Sequence, residues 1–320
     1  MLVDALQTLA PSMARLYGEI RRPIARHAPS PDAIDGRDAK QPLWHNMGLW
    51  REVSAPTALD HTDWGTRLQA AQHALLDELA AKAELGPDDD VLDCGCGFGD
   101  AAMRLLQTHG VRRVTGVDLA PRLLEVGRAR ARQRGLQGRL ALRLASATDL
   151  RFAGEARFDV VLALQSAFHF KPRRRFLSEA FRVLTPGGKL VLADMHRQRQ
   201  HPAGLRAAAR RALARHRCGI HRENLYDAAT YRRELRAAGF DDIELTSMSA
   251  HVFRPFSKVM LLMALDEQGL EPARDELAAA FETIERCPFD ELIWARMWDI
   301  DEYSLVFARR PPASAGRVRR

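Results

Sequence analysis

The sequence predicts an α/β protein whose central sheet is mostly parallel and carries helices on both faces. Five short runs rich in Val, Leu and Ala alternate with longer helical patterns. Such alternation produces right-handed βαβ units and a parallel sheet that is buried on both sides. Open sheets of this kind bind ligands at the carboxyl ends of their strands, where the strand order reverses. The five runs are 91–97, 111–119, 140–145, 158–164 and 189–195.

The region that precedes the sheet, 1–60, is predicted to be a helical and irregular cap. Its Pro, Asp and Gly residues are typical of loops, and its last part, LWHNMGLW (43–50), concentrates two Trp, one His and one Asn. A helix is expected to begin at 62–63 and to end before Gly86, because apolar residues recur there at intervals of three and four.

The segment 61–310 is predicted to form one domain, with two additions after the fifth strand. An Arg-rich insert, 196–222, has eight Arg and no acid after His196. A further helical segment is expected over 255–300, and the low-complexity tail 311–320 is expected to be disordered. The remaining elements are a helix over 231–240 and strands over 243–249 and 303–310.

Composition narrows the class of protein. The chain has 320 residues with 48 basic and 41 acidic side chains, and all but five of the basic ones are Arg. With 46% hydrophobic and 28% charged residues and no long uncharged apolar stretch, the composition is that of an ordinary globular protein and excludes collagen, coiled-coil, disordered and membrane-spanning classes. The four Cys match neither a disulfide framework nor a zinc site, and the N-terminus does not resemble a signal peptide. We therefore expect a cytoplasmic protein with no structural metal and no transmembrane segment.

The strongest motif is VLDCGCGFGD (91–100), at the end of the first strand. Its glycines allow a sharp turn and a close approach of the backbone to a ligand. A dinucleotide site would have G-x-G-x-x-G, but here the pattern is G-x-G-x-G and position 100 is Asp. The acid that precedes the glycines, Asp93, suits a ligand with an ammonium group and no pyrophosphate. Asp118, at the end of the second strand, is placed to accept both hydroxyls of a ribose.

With these motifs the sequence resembles the class I S-adenosylmethionine-dependent methyltransferases. It is most similar to the branch that methylates ubiquinone, tocopherol and natural products, the type 11-like enzymes. The resemblance implies a Rossmann-like seven-stranded sheet of order 3-2-1-4-5-7-6. It rests on VLDCGCGFGD, VTGVDLAP (114–121), ASATDLRF (145–152), FDVVLALQSAFHF (158–170), RVLTPGGKLVLADM (182–195), AAGFDDIEL (237–245) and LWHNMGLW.

The resemblance implies S-adenosyl-L-methionine as cofactor and assigns residues to it. The glycines would line its methionine part, Asp118 would hold the ribose, and Gln165 would lie near the methionine carboxylate or amine. The family commonly has an acid at the position of Ser146, so the adenine contact falls to Ser146, to Asp149 or to the backbone of Ala147. The expected cofactor residues are Asp93, Gly95, Gly97, Gly99, Asp118, Leu119, Ser146, Ala147 and Gln165.

The resemblance also implies that the chain methylates a small molecule, on oxygen or on carbon. His169 is where related enzymes present a His to the substrate, and an imidazole is a suitable general base near neutral pH. His45, Trp50 and Tyr226 are expected to contact the substrate, although aromatic residues also serve in cores. The Arg-rich insert favours an anionic acceptor, and a homodimer is expected.

Two other functions compete with this hypothesis. The excess of basic residues would also suit an RNA methyltransferase, but the fourth strand ends in LQSAFH, without the N/D-P-P-Y/F motif of enzymes that methylate the amino groups of nucleic acids. We therefore expect no nucleic-acid partner. Because Ser146 replaces an acid, a non-catalytic cofactor-binding or scaffold protein is the second alternative. The intact glycines and Asp118 argue against a loss of cofactor binding.

Overall fold

The alternating strands and helices of the sequence form one seven-stranded sheet in a computed structural model. The strand order is 3-2-1-4-5-7-6, as expected, and every pairing is parallel except those of the last strand. The described residues are 46–51, 64–197, 209, 212, 220–253, 255–256 and 302–313. Most of the predicted cap, the Arg-rich insert, the helical segment 255–300 and the tail lie outside these residues, so their predicted boundaries remain predictions.

The seven strands lie close to their predicted positions. The fifth strand is longer than predicted because the strand geometry already begins in the turn that precedes Lys189. The strands are β1 (Asp90–Cys94), β2 (Arg113–Asp118), β3 (Leu140–Leu144), β4 (Phe158–Leu164), β5 (Leu184–His196), β6 (Asp241–Ser247) and β7 (Glu302–Arg309).

Helices cover both faces of the sheet, which confirms the predicted layers. The helices are α1 (Trp64–Ala83), α2 (Asp100–Thr108), α3 (Pro121–Gln133), α4 (Arg173–Val183) and α5 (Ala228–Ala238). Neighbouring residues of one strand point to opposite faces: Val91 belongs to the core under α1, α2 and α3, whereas Leu92 belongs to the core under α4 and α5. The sheet is therefore buried from both sides.

The carboxyl ends of the parallel strands meet at one edge of the sheet. β1 lies between β2 and β4, and the strand order reverses between β1 and β4. Because β7 is antiparallel to β5, its first residue, Glu302, lies at the same edge, opposite His196. The predicted site residues Asp93, Asp118 and Gln165 all fall at this edge. None of the helices that the structure describes has both the length and the apolarity to cross a bilayer.

Candidate active site

Three glycines turn the chain sharply between β1 and α2. Gly95, Gly97 and Gly99 have φ angles of +76°, +54° and +76°, a left-handed conformation that costs other residues about 1–2 kcal/mol. The N–H groups of Gly95 and Cys96 both donate to the Val117 carbonyl, at 2.8 and 3.0 Å. This glycine loop therefore lies over the end of β2, beside the N–H groups at the start of α2 that have no partner within the helix.

The carboxylate of Asp118 joins the glycine loop to the end of β2. Its Oδ2 accepts from the Gly97 N–H and its Oδ1 from the Ala120 N–H, both at 2.9 Å. A carboxylate has about four lone-pair positions, so each oxygen keeps one for a ligand hydroxyl. The next residue, Leu119, exposes 70% of its surface and gives the end of β2 an apolar face. This arrangement suits a ribose beside an apolar ring.

Asp93 brings a buried carboxyl group to the base of the glycine loop. Its side chain is 1% exposed, and Oδ2 has no hydrogen-bond partner among the residues that the structure describes. Burial, with a further contribution from the negative charge of Asp118, raises the pKa of Asp93 to about 7. An ionised carboxylate in such surroundings needs a cation or a donor. An ammonium group of a ligand would supply both.

The polar side chains of the loop after β3 form hydrogen bonds with other residues of the same loop. The Ser146 hydroxyl is 2.8 Å from the Thr148 hydroxyl and accepts from the Thr148 N–H. Asp149, the alternative acceptor for adenine, forms a bidentate pair with Arg151 at 2.7 Å. Both side chains are thus engaged within the protein. The backbone of Ala147, which is a buried residue, is the third of the predicted options and is favoured by this geometry.

Gln165 lies directly after β4 at a point of backbone strain. Its φ is +51°, which is uncommon for a residue other than glycine, and strained residues of this kind cluster at active sites and ligand-binding segments. Its Oε1 accepts from the Met47 N–H at 2.9 Å and from the Tyr303 hydroxyl at 3.1 Å. Two donors therefore orient the side-chain amide. Its NH₂ group makes no hydrogen bond within the described part of the chain and is available to a ligand carboxylate.

The described part of the N-terminal segment packs on α1. The Leu49 N–H donates to the Ala71 carbonyl at 2.7 Å, and the Trp50 indole N–H donates to the Met47 carbonyl at 3.0 Å. The indole of Trp50 is buried and its polar atom is used within the protein, which favours packing over the predicted contact with substrate. His45 lies outside the described residues, so its role stays a prediction.

Asn46 is a buried residue that the aromatic pattern of this segment does not single out. Its Oδ1 accepts from the Gly48 N–H, and its carbonyl accepts from the side chain of Gln72. Its Nδ2 is buried without a hydrogen-bond partner among the described residues. Because an unsatisfied buried donor is costly, Asn46 is a second candidate donor to a ligand at this edge.

His169 ends a short 3₁₀ turn that begins at Ala167. Its N–H donates to the Ser166 carbonyl at 3.0 Å, and its half-buried ring packs against Phe168 with the ring centres 3.8 Å apart. The Ser166 hydroxyl donates to the Cys94 carbonyl at 2.7 Å. The turn is therefore tied to the strand that leads into the glycine loop, at the point where the strand order reverses.

Tyr226 lies in the core under α4 and α5. It is 7% exposed, and its ring packs on the guanidinium of Arg173 at 4.8 Å and on the ring of Tyr231 at 5.5 Å. Burial raises the pKa of the Tyr226 hydroxyl. This placement favours packing over the predicted contact with substrate.

Exchanging Gly97 for Ala tests whether the space above the glycine loop belongs to a ligand. A Cβ at this position would meet no atom of the described residues within 4 Å. We expect Gly97→Ala to fold, with a loss of about 1 kcal/mol for its φ, but to bind the cofactor at least about tenfold more weakly because the methyl group occupies ligand space. Isothermal titration calorimetry and thermal unfolding measure the two effects.

Two other glycines are the controls for this experiment. Gly135 has a φ of +67° and equally open surroundings, far along the chain from the loop, so Gly135→Ala should lose similar stability and keep full affinity. Gly95→Ala should unfold much more easily, because its Cβ would lie 2.5 Å from the Cβ of Ser166. Equal affinities of the Gly97→Ala and Gly135→Ala proteins would contradict a ligand at the loop.

The residues of this edge fit S-adenosylmethionine better than a dinucleotide. Asp93 offers an amine a buried carboxyl whose Oδ2 has no partner in the described part of the chain. Asp118 offers acceptors to a ribose, and no described residue fills the space above Gly97. The first residue of α2, Asp100, stands where the G-x-G-x-x-G pattern of a dinucleotide site has its last glycine, and it is buried and pairs with Arg130 at 2.7 Å. No group of three or more His, Cys, Asp or Glu side chains in the described ranges is arranged to hold a metal ion.

Comparison with known proteins agrees with this fit. The family model of a methyltransferase domain matches residues 91–188. The erythromycin 3''-O-methyltransferase of Saccharopolyspora erythraea is 34% identical over 238 residues, which are 73% of this chain and 74% of that protein. The 27-O-demethylrifamycin SV methyltransferase of Amycolatopsis mediterranei is 32% identical over 248 residues, which are 76% of this chain and 86% of that protein.

A solved structure shows the same fold. The geranyl diphosphate C-methyltransferase from Streptomyces coelicolor, determined with S-adenosyl-L-homocysteine, superposes with a TM-score of 0.63 at 19% identity and covers 94% of this chain and 97% of that one. This chain therefore combines the glycine loop, the acid at the end of β2 and the strand order with more than 30% identity to two methyltransferases over about three quarters of its length. The chain belongs to the S-adenosylmethionine-dependent methyltransferases.

Proposed function

We propose that this enzyme transfers the methyl group of S-adenosylmethionine to a hydroxyl of a small molecule, with His169 as the general base. The observation that carries the proposal is the position of His169 on a turn that is bonded through Ser166 to the strand leading into the glycine loop. A base at this place is adjacent to the predicted cofactor residues. The two relatives above are named for methylation of oxygen, which favours oxygen over carbon.

The residues of the chain act mainly by orientation. Bound S-adenosylmethionine supplies an electrophilic methyl group on a sulfonium. Asp93 would hold the amine, the NH₂ groups of Gln165 and Asn46 would face the carboxylate, and Asp118 would hold the ribose. Holding two reactants in line contributes about 7–11 kcal/mol to such a displacement. His169 would accept the proton of the hydroxyl as the new bond forms.

The nature of the acceptor is the finer part of the proposal. The Arg-rich insert has eight Arg and no acid after His196, which favours an acceptor with a carboxylate or a phosphate. The names of the relatives favour a small molecule over the competing RNA substrate. A homodimer and a cytoplasmic location remain predictions, which light scattering of the purified chain and cell fractionation test.

Mass spectrometry of the purified enzyme tests the proposal directly. The enzyme would be incubated with methyl-labelled cofactor and a panel of neutral and carboxylate-bearing hydroxy compounds, including 27-O-demethylrifamycin SV and erythromycin that lacks its 3''-O-methyl group. We expect a labelled ether and adenosylhomocysteine in equal amounts. A labelled carbon would overturn the O-methylation proposal, and a failure to bind the cofactor would exclude catalysis. Equal rates for neutral and anionic acceptors at low salt would contradict the role of the insert.

A further inference from the structure

Asn224 is a buried residue whose side-chain polar atoms all form hydrogen bonds with the backbone around His169. It is 2% exposed and ends a 3₁₀ turn over Arg222–Asn224, just after the Arg-rich insert. Its Nδ2 donates to the Phe168 carbonyl at 3.0 Å and to the Phe170 carbonyl at 2.6 Å. Its Oδ1 accepts from the Arg173 N–H at 2.9 Å. Only an amide side chain combines two donors and an acceptor in this way.

The two carbonyls that Asn224 binds lie on either side of His169. Fixing both neighbouring peptide groups fixes the direction in which the His169 side chain leaves the backbone. The guanidinium of Arg173 supports the same turn from α4, with its Nε 3.4 Å from the Ala167 carbonyl. Arg173 is itself fully buried beside Asp194, at 3.4 Å. The buried pair of Arg173 and Asp194 and the side chain of Asn224 therefore hold this turn together.

Asn224 reaches this place from the segment that closes the Arg-rich insert. The Arg197 N–H donates to the Tyr226 carbonyl at 2.7 Å, and Arg197 forms a β-bridge with Asp227. The chain therefore enters and leaves the insert at one point, and Asn224 lies next to that point. Within the described residues, Asn224 thus connects the turn with His169 to the point where the chain leaves the insert.

We propose that Asn224 is a positioning residue, which holds the His169 ring in its working orientation and ties that orientation to the base of the Arg-rich insert. The inference rests on the proposed role of His169 as base. None of the hydrogen bonds that Asn224 makes within the described residues reaches a predicted cofactor residue, so its loss should lower kcat and leave cofactor affinity unchanged. A displacement of about 1 Å at a reacting group costs up to about 100-fold in rate, and we expect a loss of tenfold or more.

Two variants, Asn224→Asp and Asn224→Ser, test the inference in the full-length protein. Asn224→Asp keeps the size and the acceptor but removes both donors, and Asn224→Ser shortens the side chain. Asp90→Asn is the matched control, since it alters a buried carboxylate that pairs with Arg112 at 2.9 Å and with Arg157 at 2.7 Å, at the start of β1 and thus at the opposite end of the sheet from the turn. The readouts are amide hydrogen exchange, NMR of histidines labelled with ¹³C, and methyl transfer to the acceptor identified in the panel.

In both Asn224 variants we expect faster exchange of the amides of 168–171 and a shifted His169 signal, assigned through its absence from His169→Gln. Exchange of 94–100 and cofactor affinity should stay unchanged, and Asp90→Asn should leave the signal in place. An unaltered His169 signal and turn in both Asn224 variants would overturn the inference, as would equal loosening of turn and glycine loop. If His169→Gln keeps full turnover, the proposed role of His169 as base is wrong. If His169→Gln is slow but both Asn224 variants turn over at the natural rate, only the positioning role of Asn224 is wrong.

Discussion

Replacing Asp93 by Asn is expected to weaken cofactor binding by about 30-fold or more, because removal of one partner of a buried charge pair costs about 2–5 kcal/mol. Asp93 is the buried carboxyl at the base of the glycine loop, with an Oδ2 that lacks a partner among the described residues. Calorimetric titration with S-adenosylmethionine measures the loss.

Asp93 also predicts how cofactor binding depends on pH. Its pKa of about 7 in the protein without cofactor means that about half of the molecules hold a proton on this group at pH 7. An ammonium beside the carboxylate favours ionisation, so binding should release about half a proton at pH 7 and weaken as the pH falls below 7. Titrations in two buffers with different ionisation enthalpies measure this release. Asp93→Asn should release none.

The raised pKa of Asp93 should also make the free energy of unfolding of the cofactor-free protein depend on pH. The pKa of Asp93 is near 3.8 in the unfolded chain and about 7 in the folded one, so between these values the folded state binds more protons. The free energy of unfolding therefore falls by up to about 1.4 kcal/mol for each pH unit through this window and levels off above pH 7. Asp93→Asn should lose this dependence and be more stable than the natural protein at pH 8.

Asp242→Asn is the control for both experiments. Asp242 is exposed and pairs with Arg309 at 3.4 Å, away from the glycine loop, so its substitution should change neither affinity nor the pH dependence. Asp93→Asn with unchanged affinity and unchanged proton release would show that Asp93 does not hold the amine.

The sequence was most informative where the interacting residues are close along the chain. The glycine loop could be predicted because a strand, a sharp turn and a helix start follow one another within VLDCGCGFGD. Asp118 could be predicted because it ends the apolar run of the second strand, close to that loop along the chain. The strand order came from the resemblance. It could not come from periodicity, since a pattern of apolar residues does not say which strands pair.

Contacts between distant segments were beyond prediction. Gln165 is oriented by Met47 and Tyr303, which belong to the N-terminal segment and to the last strand, and no spacing in the sequence relates them. Tyr226 shows the converse, because an aromatic residue after an insert has the same pattern whether it lines a pocket or packs on Arg173. Asn224 has no motif at all, and only its three hydrogen bonds reveal it.

Replacing His169 by Gln is expected to lower kcat by about 10²- to 10⁴-fold, the range for loss of a general base. Gln has a similar length and can hydrogen-bond, but it cannot accept the proton of a hydroxyl. Cofactor affinity should stay within about twofold, because the His169 side chain is not among the predicted cofactor contacts. Single-turnover methyl transfer and calorimetry separate the two quantities.

The pH dependence and rescue of the rate distinguish a base from a packing residue. If His169 accepts the proton, the acid limb of the pH profile of kcat should disappear in His169→Gln, and added imidazole should restore part of the rate of His169→Ala by entering the space left by the ring. A structural role predicts neither result. His251→Gln, at an exposed side chain, is the matched control and should behave like the natural enzyme. An unchanged kcat in His169→Gln would remove the base from the mechanism and leave orientation by Asp93, Asp118 and Gln165 as the main contribution of the chain to catalysis.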